Sequence, residues 1–595
     1  MPPSPNTDSD GVLRVRILAN GSELPQTVSL VSLTVRRAVN AIPSARLVIA
    51  DGDMATGEFS VADSALLVPG TKIAVHLGYA DSDALVYRGV VVRFGLKITG
   101  NNVSHLEIDC RDQAEKMALG RRDATHLDTT DSAMIEALVA AHGLAAKVDA
   151  TTVTHRALVQ HHCSDWDFMR SRAEANGRLV IVTDGEVSVK APQTSAAPLL
   201  KVTYGESLME FDADIDARTQ WTAVDAVAWD PSTQAVTAAS AAPQDLGLQG
   251  NLQAAALAQV AGPDRLRLQT SARQDVAALT EWAKAQQTKA ALARVRGRMR
   301  FQGSALAQVG GLIELEGVGA RFNGKVFVGK LTHEVSDGNW TTEVEFGLSP
   351  QWPAEQADVI APEAAGLLPG VRGLQIGVVT KLDADPAAEH RIQVRLPLMG
   401  DDAQPVWARL AALQASNGFG TFFVPEVGDE VLLGFLNGDP GHPVVLGSVH
   451  SSSHPPPYTL TDENNTTAIV TRGRSKIEIN DRDKVITINT PGANRLVFDD
   501  MNQSIQVSDQ NGNTIRLGTD GIRLDSPKDI VIQAKGSLTI DAVGPLSMTS
   551  KADASTQALN VRCEAQVGFT AKGSASAELS AAGQTTIQGA MVMIN

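Results

Sequence analysis

The chain has 595 residues, a formal net charge of −16 and an aromatic share of only 4%. That length exceeds one hydrophobic core and implies roughly three to five domains. The acid excess argues against nucleic acid as a partner, because phosphate backbones repel it and no Lys/Arg run tracks one.

Few rings beside 50 Gly point to regular, thin β-structure in part of the chain. The three cysteines, Cys110, Cys163 and Cys563, lie far apart with no CxxC, and read as thiols rather than a disulfide framework or a zinc site. Met1–Asp8 has no basic or long apolar region, so no signal peptide is expected. No apolar stretch reaches the length of a membrane-spanning helix. Synthesis and assembly in the cytoplasm are expected, and any export would rely on something other than a signal peptide.

Residues 11–115 read as strands. Leu13, Val15 and Ile17 alternate with Arg14 and Arg16, and Ile73, Val75 and Leu77 repeat the spacing. Val86–Val92 is a further apolar run, and Ala19-Asn20-Gly21 and Thr99-Gly100-Asn101 are turn signals. A helix is expected near 131–142, capped by Thr130 or Asp131, with Met134, Ile135, Leu138 and Val139 at helical spacing up to Gly143. A second is expected near 164–176, with Ser164 as N-cap, Asp167 three residues on, and Asn176-Gly177 as its stop. A third, rich in Ala, Gln and Lys, is expected near 275–295. Residues 351–372 have the composition of a linker, with Pro353, Pro362, Gly366 and Pro369. Residues 373–450 read as a compact β unit, and 451–465 as a Pro/Ser linker.

From Gly521 onward, apolar pairs recur every eight residues. The first members are Ile522, Ile530, Leu538 and Leu546; their partners two residues on are Leu524, Ile532, Ile540 and Met548. Leu559 with Val561 and Val567 with Phe569 continue the pattern in a new phase. Ser526-Pro527, Lys535-Gly536 and Val543-Gly544-Pro545 break the strands between them. A single-chain coil needs roughly 18 or more residues to enclose its own core, given about 3.3 Å per strand residue. Eight residues make one side and a corner. Three chains wound together would bury every pair, which argues for a homotrimer; a meandering sheet folded on itself is the alternative. If the octads run through all of 466–595, about 16 layers at roughly 4.8 Å give a needle on the order of 75 Å.

Three stretches carry a resemblance. Val424-Pro425-Glu426-Val427-Gly428-Asp429-Glu430-Val431-Leu432-Leu433-Gly434-Phe435 leads into Asn437-Gly438-Asp439-Pro440-Gly441-His442-Pro443-Val444-Val445-Leu446-Gly447-Ser448-Val449. By its own pattern this is a strand, a hairpin loop and a returning strand, with Gly428 and Gly447 expected in tight turns. It resembles the OB-fold signature of VgrG-type spike proteins and the phage baseplate hub-spike family. The helix from Ser164 to Gly177, and Tyr204-Gly205-Glu206-Ser207-Leu208 after it, resemble the hub of that family. The ending Ile587-Gln588-Gly589-Ala590-Met591-Val592-Met593-Ile594-Asn595 resembles its spike tips.

The resemblance implies a mainly β chain: hub β-barrel domains with a few helices over 1–350, an OB-fold over 373–450, and a trimeric, triple-stranded β-helix fibre over 466–595. The fibre core would be Ile522, Leu524, Ile530, Ile532, Leu538, Ile540, Leu546 and Met548. The implied function is that of a spike in a contractile injection system, a type VI secretion apparatus or phage-tail-like particle. Implied partners are two further copies, the inner tube and baseplate proteins, cargo effectors, and a PAAR-type tip protein on the C-terminal end. The large apolar side chains Ile587, Met591, Met593 and Ile594, with Asn595, are the expected docking surface for that tip.

No enzyme, cofactor or metal is expected. Some family members insert a lysozyme domain after the OB-fold, but here that gap, Ser451–Asn465, is 15 residues. Asp499-Asp500 and Asp401-Asp402 are adjacent in strands or turns and point apart, poorly placed for acid/base work. His161-His162-Cys163 lacks a second ligand cluster. Asn417-Gly418-Phe419-Gly420 is glycine-rich, but no helix follows to complete a phosphate cradle. The rival readings are a tail-spike polysaccharide depolymerase and a passive β-fibre adhesin. The first would need aromatic sugar platforms, yet after Asn465 only Phe498 and Phe569 are aromatic.

Overall fold

A computed structural model describes residues 2–7, 11–100, 103–261, 265–356, 359–400 and 403–594. The chain divides after Val449 into two compact units, and each is taken by itself.

The first unit is built on a 13-stranded sheet. Its alternating sequences become strands where expected: Leu13–Ala19 pairs with Lys72–Tyr79, setting Val15 against Leu77 and Ile17 against Val75. Asn20 turns the first of these strands with φ at 50°. Strands from the first 111 residues and strands beyond Leu200 join along one seam, where Gly324–Ser336 pairs with Ser29–Ala38. Two apolar cores result. One gathers Leu33, Leu47, Val75, Tyr87, Leu106 and Ile108. The other gathers Val202, Met299, Phe301, Leu315, Val344 and Phe346.

Between these halves, residues 113–190 form a subdomain with its own core around Met134, Leu138, Trp166, Met169, Val180 and Val187. Its helices are α1 (Asp131–Ala141) and α2 (Asp165–Ala175). Thr130 caps α1 by accepting from the Ala133 amide, and Ser164 caps α2 by accepting from the Asp167 amide. The two helices clasp each other reciprocally. Asp131 in the first turn of α1 accepts from Arg172 Nε at 2.6 Å and Asn176 Nδ2 at 2.9 Å, both at the far end of α2. Asp165 in the first turn of α2 meets His142 Nε2, at the end of α1, at 2.8 Å. Burial opposes charge on Asp131, but the bonds from Arg172, Asn176 and His155 outweigh it and hold its carboxyl below the ordinary carboxylate range.

Two further helices are α3 (Ala254–Ala261) and α4 (Val276–Ala293). The sequence reading did not include α3. The proline-containing stretch after Leu348 lies along α4: Trp352 donates from Nε1 to Gln286 Oε1 at 2.8 Å, and Lys289 of α4 sits 4.7 Å from its ring centroid.

Strands Gln375–Lys381, Ile392–Arg395, Val406–Leu410, Glu430–Phe435 and Pro443–Ser448 close into a barrel. Its core is Val379, Val394, Ala408, Val431, Leu433 and Val445. Gly428 adopts φ of 95° as a turn requires. Gly447 does not: it lies in the last strand, beside a bulge where the pairing shifts between Leu432–Gly447 and Leu433–Val445.

Residues 466–525 of the second unit form an antiparallel meander of seven strands, each five residues long. The first six strands begin at Thr466, Lys476, Val485, Arg495, Ser504 and Thr514. This corrects the eight-residue layer extended over all of 466–595. Here the spacing of the first six strands alternates ten and nine, because a hairpin turn of four or five residues follows each of the first five. The octads are confined to the part that begins with strand Gly521–Asp525, and beyond Asp525 the described residues carry no strand pairing within the chain.

Candidate functional surface of the terminal segment

The meander's five-residue strands place their second and fourth residues on one face. Those residues form two apolar columns. In one, Ile469 faces Ile477, which faces Ile488, and the register continues through Leu496, Val507, Ile515 and Leu524. In the other, Ile479 faces Ile486, and Phe498, Ile505, Leu517 and Ile522 follow.

The opposite face carries the polar residues and is the better covered one. Thr487 is buried there. Lys476 Nζ and Tyr458 Oη each reach Glu478 Oε2 at 2.5 Å. Lys476 first, then Tyr458, holds the Glu478 carboxyl below its ordinary range. The apolar columns meanwhile face water: Ile486 and Ile488 are each 40% exposed. A single chain has therefore left its apolar columns partly in water, while Glu478, Thr487 and Val497 on the opposite face are better covered. A five-residue hairpin strand cannot fold over its own sheet, so the columns need another surface.

The octads continue this arrangement. Ile522, Leu524, Ile530, Ile532, Leu538, Ile540, Leu546 and Met548 are all exposed in the single chain. At the far end Ile587, Met591, Met593 and Ile594 are exposed too, Ile594 at 89%. Asn595 lies outside the described residues, as do Asp401 and Asp402. Sequence reasoning named the octad pairs but not the columns of 466–520. The signal was present as apolar pairs two apart, Ile477/Ile479, Ile486/Ile488, Leu496/Phe498, Ile505/Val507 and Ile515/Leu517.

The other candidates resolve into structural roles. Asp499 accepts from the Asn502 amide at 2.9 Å and side chain at 2.8 Å, closing a hairpin turn. His161 and His162 both face solvent, because a bulge between Gln160 and Cys163 breaks the expected alternation. Asn417-Gly418 is the turn of a two-stranded hairpin. Among the described residues no group of three or more His, Cys, Asp or Glu side chains is placed to hold a metal, and no helix is long and apolar enough to cross a membrane.

Residues 9–337, more than half of the chain, match the Alg8 N-terminal domain family. The chain belongs to the Alg8 N-terminal domain family. Residues 375–450 match a second family, the type VI secretion system/phage-baseplate injector OB domain, and coincide with the closed barrel. Among curated relatives, the type VI secretion system spike protein VgrG4b of Pseudomonas aeruginosa is 40% identical over 99 residues, 16% of this chain and 12% of that protein. The spike protein VgrG3 of Vibrio cholerae is 29% identical over 121 residues, 20% of this chain and 10% of that one. The matched stretches thus span a small fraction of those relatives. A solved Escherichia coli protein, c3393, described as a type VI secretion component, has 13% identity and a TM-score of 0.39, over 73% of this chain and 99% of its own. Beyond that family, the chain is similar to the injector OB domain over 375–450 and, over about a hundred residues, to VgrG spike proteins.

Proposed function

We propose that the chain is the homotrimeric spike and hub of a contractile, phage-tail-like injection machine, acting mechanically and without catalysis. The observation that carries this reading is the pair of apolar columns left in water by a single chain, continued by the exposed octad pairs. Two further copies would cover them. Each Ile, Leu, Val or Phe so buried contributes about 1.5–3 kcal/mol, repeated along the whole segment. The hub at 1–350 meets the inner tube and baseplate, the OB barrel joins hub to spike, and the spike carries the force of contraction onto a target envelope. The end at Ile587, Met591, Met593, Ile594 and Asn595 docks a PAAR-type tip protein, and cargo effectors travel with the assembly. Released or not, it works as part of a particle rather than as a membrane protein.

The test is SDS resistance of the purified oligomer. Ile532→Asp and Ile540→Asp each bring three carboxylates together in a shared core, at a cost of several kcal/mol through desolvation and like charge. Both variants should lose SDS resistance. Wild-type resistance in both would mean that these residues face no common core.

A further inference from the structure

The OB barrel carries a second exposed apolar feature that the spike reading does not use. Residues 411–424 leave the barrel after strand Val406–Leu410, and not one of the fourteen is charged. In a chain with an aromatic share of 4%, three phenylalanines fall within five residues. All three face water: Phe419 is 65% exposed, Phe422 90% and Phe423 67%, and Leu413 beside them is 96% exposed. A solvated loop does not have this composition.

Nor is the segment a slack loop. Ala415 pairs with Gly420 and Ser416 with Phe419 around the turn at Asn417-Gly418. The Thr421 amide donates to the Gln414 carbonyl at 2.9 Å and closes the hairpin. Gly420 has φ of 144°, and a Cβ there would lie 2.4 Å from the Gln414 carbonyl oxygen, so only glycine lets the two arms come this close. The pairing fixes the backbone of Phe419 before any partner arrives, and Phe422 and Phe423 follow directly after the closing bond, which lowers the ordering cost of association.

The same barrel carries a separate apolar projection, the turn Pro397–Met399, where Leu398 is 90% and Met399 64% exposed. This turn follows strand Ile392–Arg395, whose Val394 pairs with Val406 at the start of the next strand. The phenylalanine hairpin follows Leu410 at that strand's end. Five strand residues therefore separate the two features, about 13 Å. They emerge at opposite ends of one strand and do not cover each other.

One chain thus presents two uncharged apolar patches at a fixed separation. Rotational assembly of three like copies requires this arrangement, since a head-to-tail interface joins two different patches of the same chain and closes into a ring. Three phenylalanines at about 150–250 Å² each supply at most roughly 450–750 Å², short of the ~800 Å² per partner of a standard interface, so this contact would add to that of the spike rather than hold a trimer alone.

We infer that the 411–424 hairpin is a preformed intersubunit clamp, in which Phe419, Phe422 and Phe423 of one copy seat on the Leu398–Met399 turn of the next, locking the OB barrels into a ring. This rests on the trimer of the proposed function and adds a contact outside the spike.

The test uses the full chain with Cys163 and Cys563 replaced by Ser, carrying Leu398→Cys and Phe422→Cys together. Under mild oxidation the double variant should run as a covalent trimer on non-reducing SDS gels, and neither single variant should. In the unsubstituted protein, amide hydrogens of residues 411–424 should exchange slowly for so exposed a hairpin. A chain that sediments as a trimer, yet gives no covalent trimer and exchanges freely at 411–424, overturns the clamp while leaving the trimer standing. A crosslink confined within one chain overturns it as well. A chain that sediments as a monomer overturns both this contact and the trimer beneath it.

Discussion

His333 shows how a single buried group sets a pH limit on the first unit. Trp340 donates from Nε1 to its Nδ1 at 3.3 Å, and the Thr342 hydroxyl lies 3.0 Å from the same atom. Nδ1 must therefore accept, and a proton there would face the Trp340 N–H. Burial drives the ring's pKa down to about 3 from its ordinary 6.5. The unfolded chain takes up this proton below about pH 6.5 and the folded chain does not, so stability falls as pH drops from about 6.5 toward 3. The loss is on the order of a few kcal/mol at the acid end. Denaturant unfolding of the protein and of His333→Asn, compared between pH 7 and pH 4, checks this. The variant should be less stable at neutral pH but lose less on acidification, and equal losses in both would show that His333 does not titrate with unfolding. The histidine was visible in the sequence only as one of an alternating strand. Its partners are near in sequence, but its burial depends on Val35 across the seam, 298 positions away in the chain.

Among elements, those with strong local signals were legible. Leu13–Ala19 and Lys72–Tyr79 alternate because one face of each is buried, and α1 and α2 announce themselves by Thr130 and Ser164. Helix α3 did not, since its run of Ala, Leu, Gln and Val carries neither a capping signal nor a polar face. The reciprocal clasp of α1 and α2 was illegible because Asp131 and Arg172 meet only in three dimensions. In the terminal segment the octad pairs could be read from their spacing, whereas the ten-and-nine alternation of the meander hid a like pattern behind its turns. Of the phenylalanines of 411–424, only Phe419 was noted, within a glycine-rich stretch, since exposure is not a local property. One prediction belongs at this scale. Deleting Ala590–Asn595 should leave the oligomer intact but abolish co-purification with the tip protein. Unchanged tip binding would remove the docking role, and loss of the oligomer would mean that these residues close the spike core instead.

At the scale of the whole molecule, one relation holds the account together. The hub and barrel have ordinary dry cores of their own, Val35 and Leu47 in one, Met299 and Phe301 in another, Val431 and Leu433 in the third. The terminal segment has no such core, and its columns and octads stay wet in one chain. In the proposed trimer, association would complete the folding of the spike, because only a second surface covers its columns. The most direct measurement is sedimentation equilibrium of the full chain at micromolar concentration. The account predicts a single species of about three times 62.8 kDa. A monodisperse monomer, with the apolar columns left in water, would contradict it.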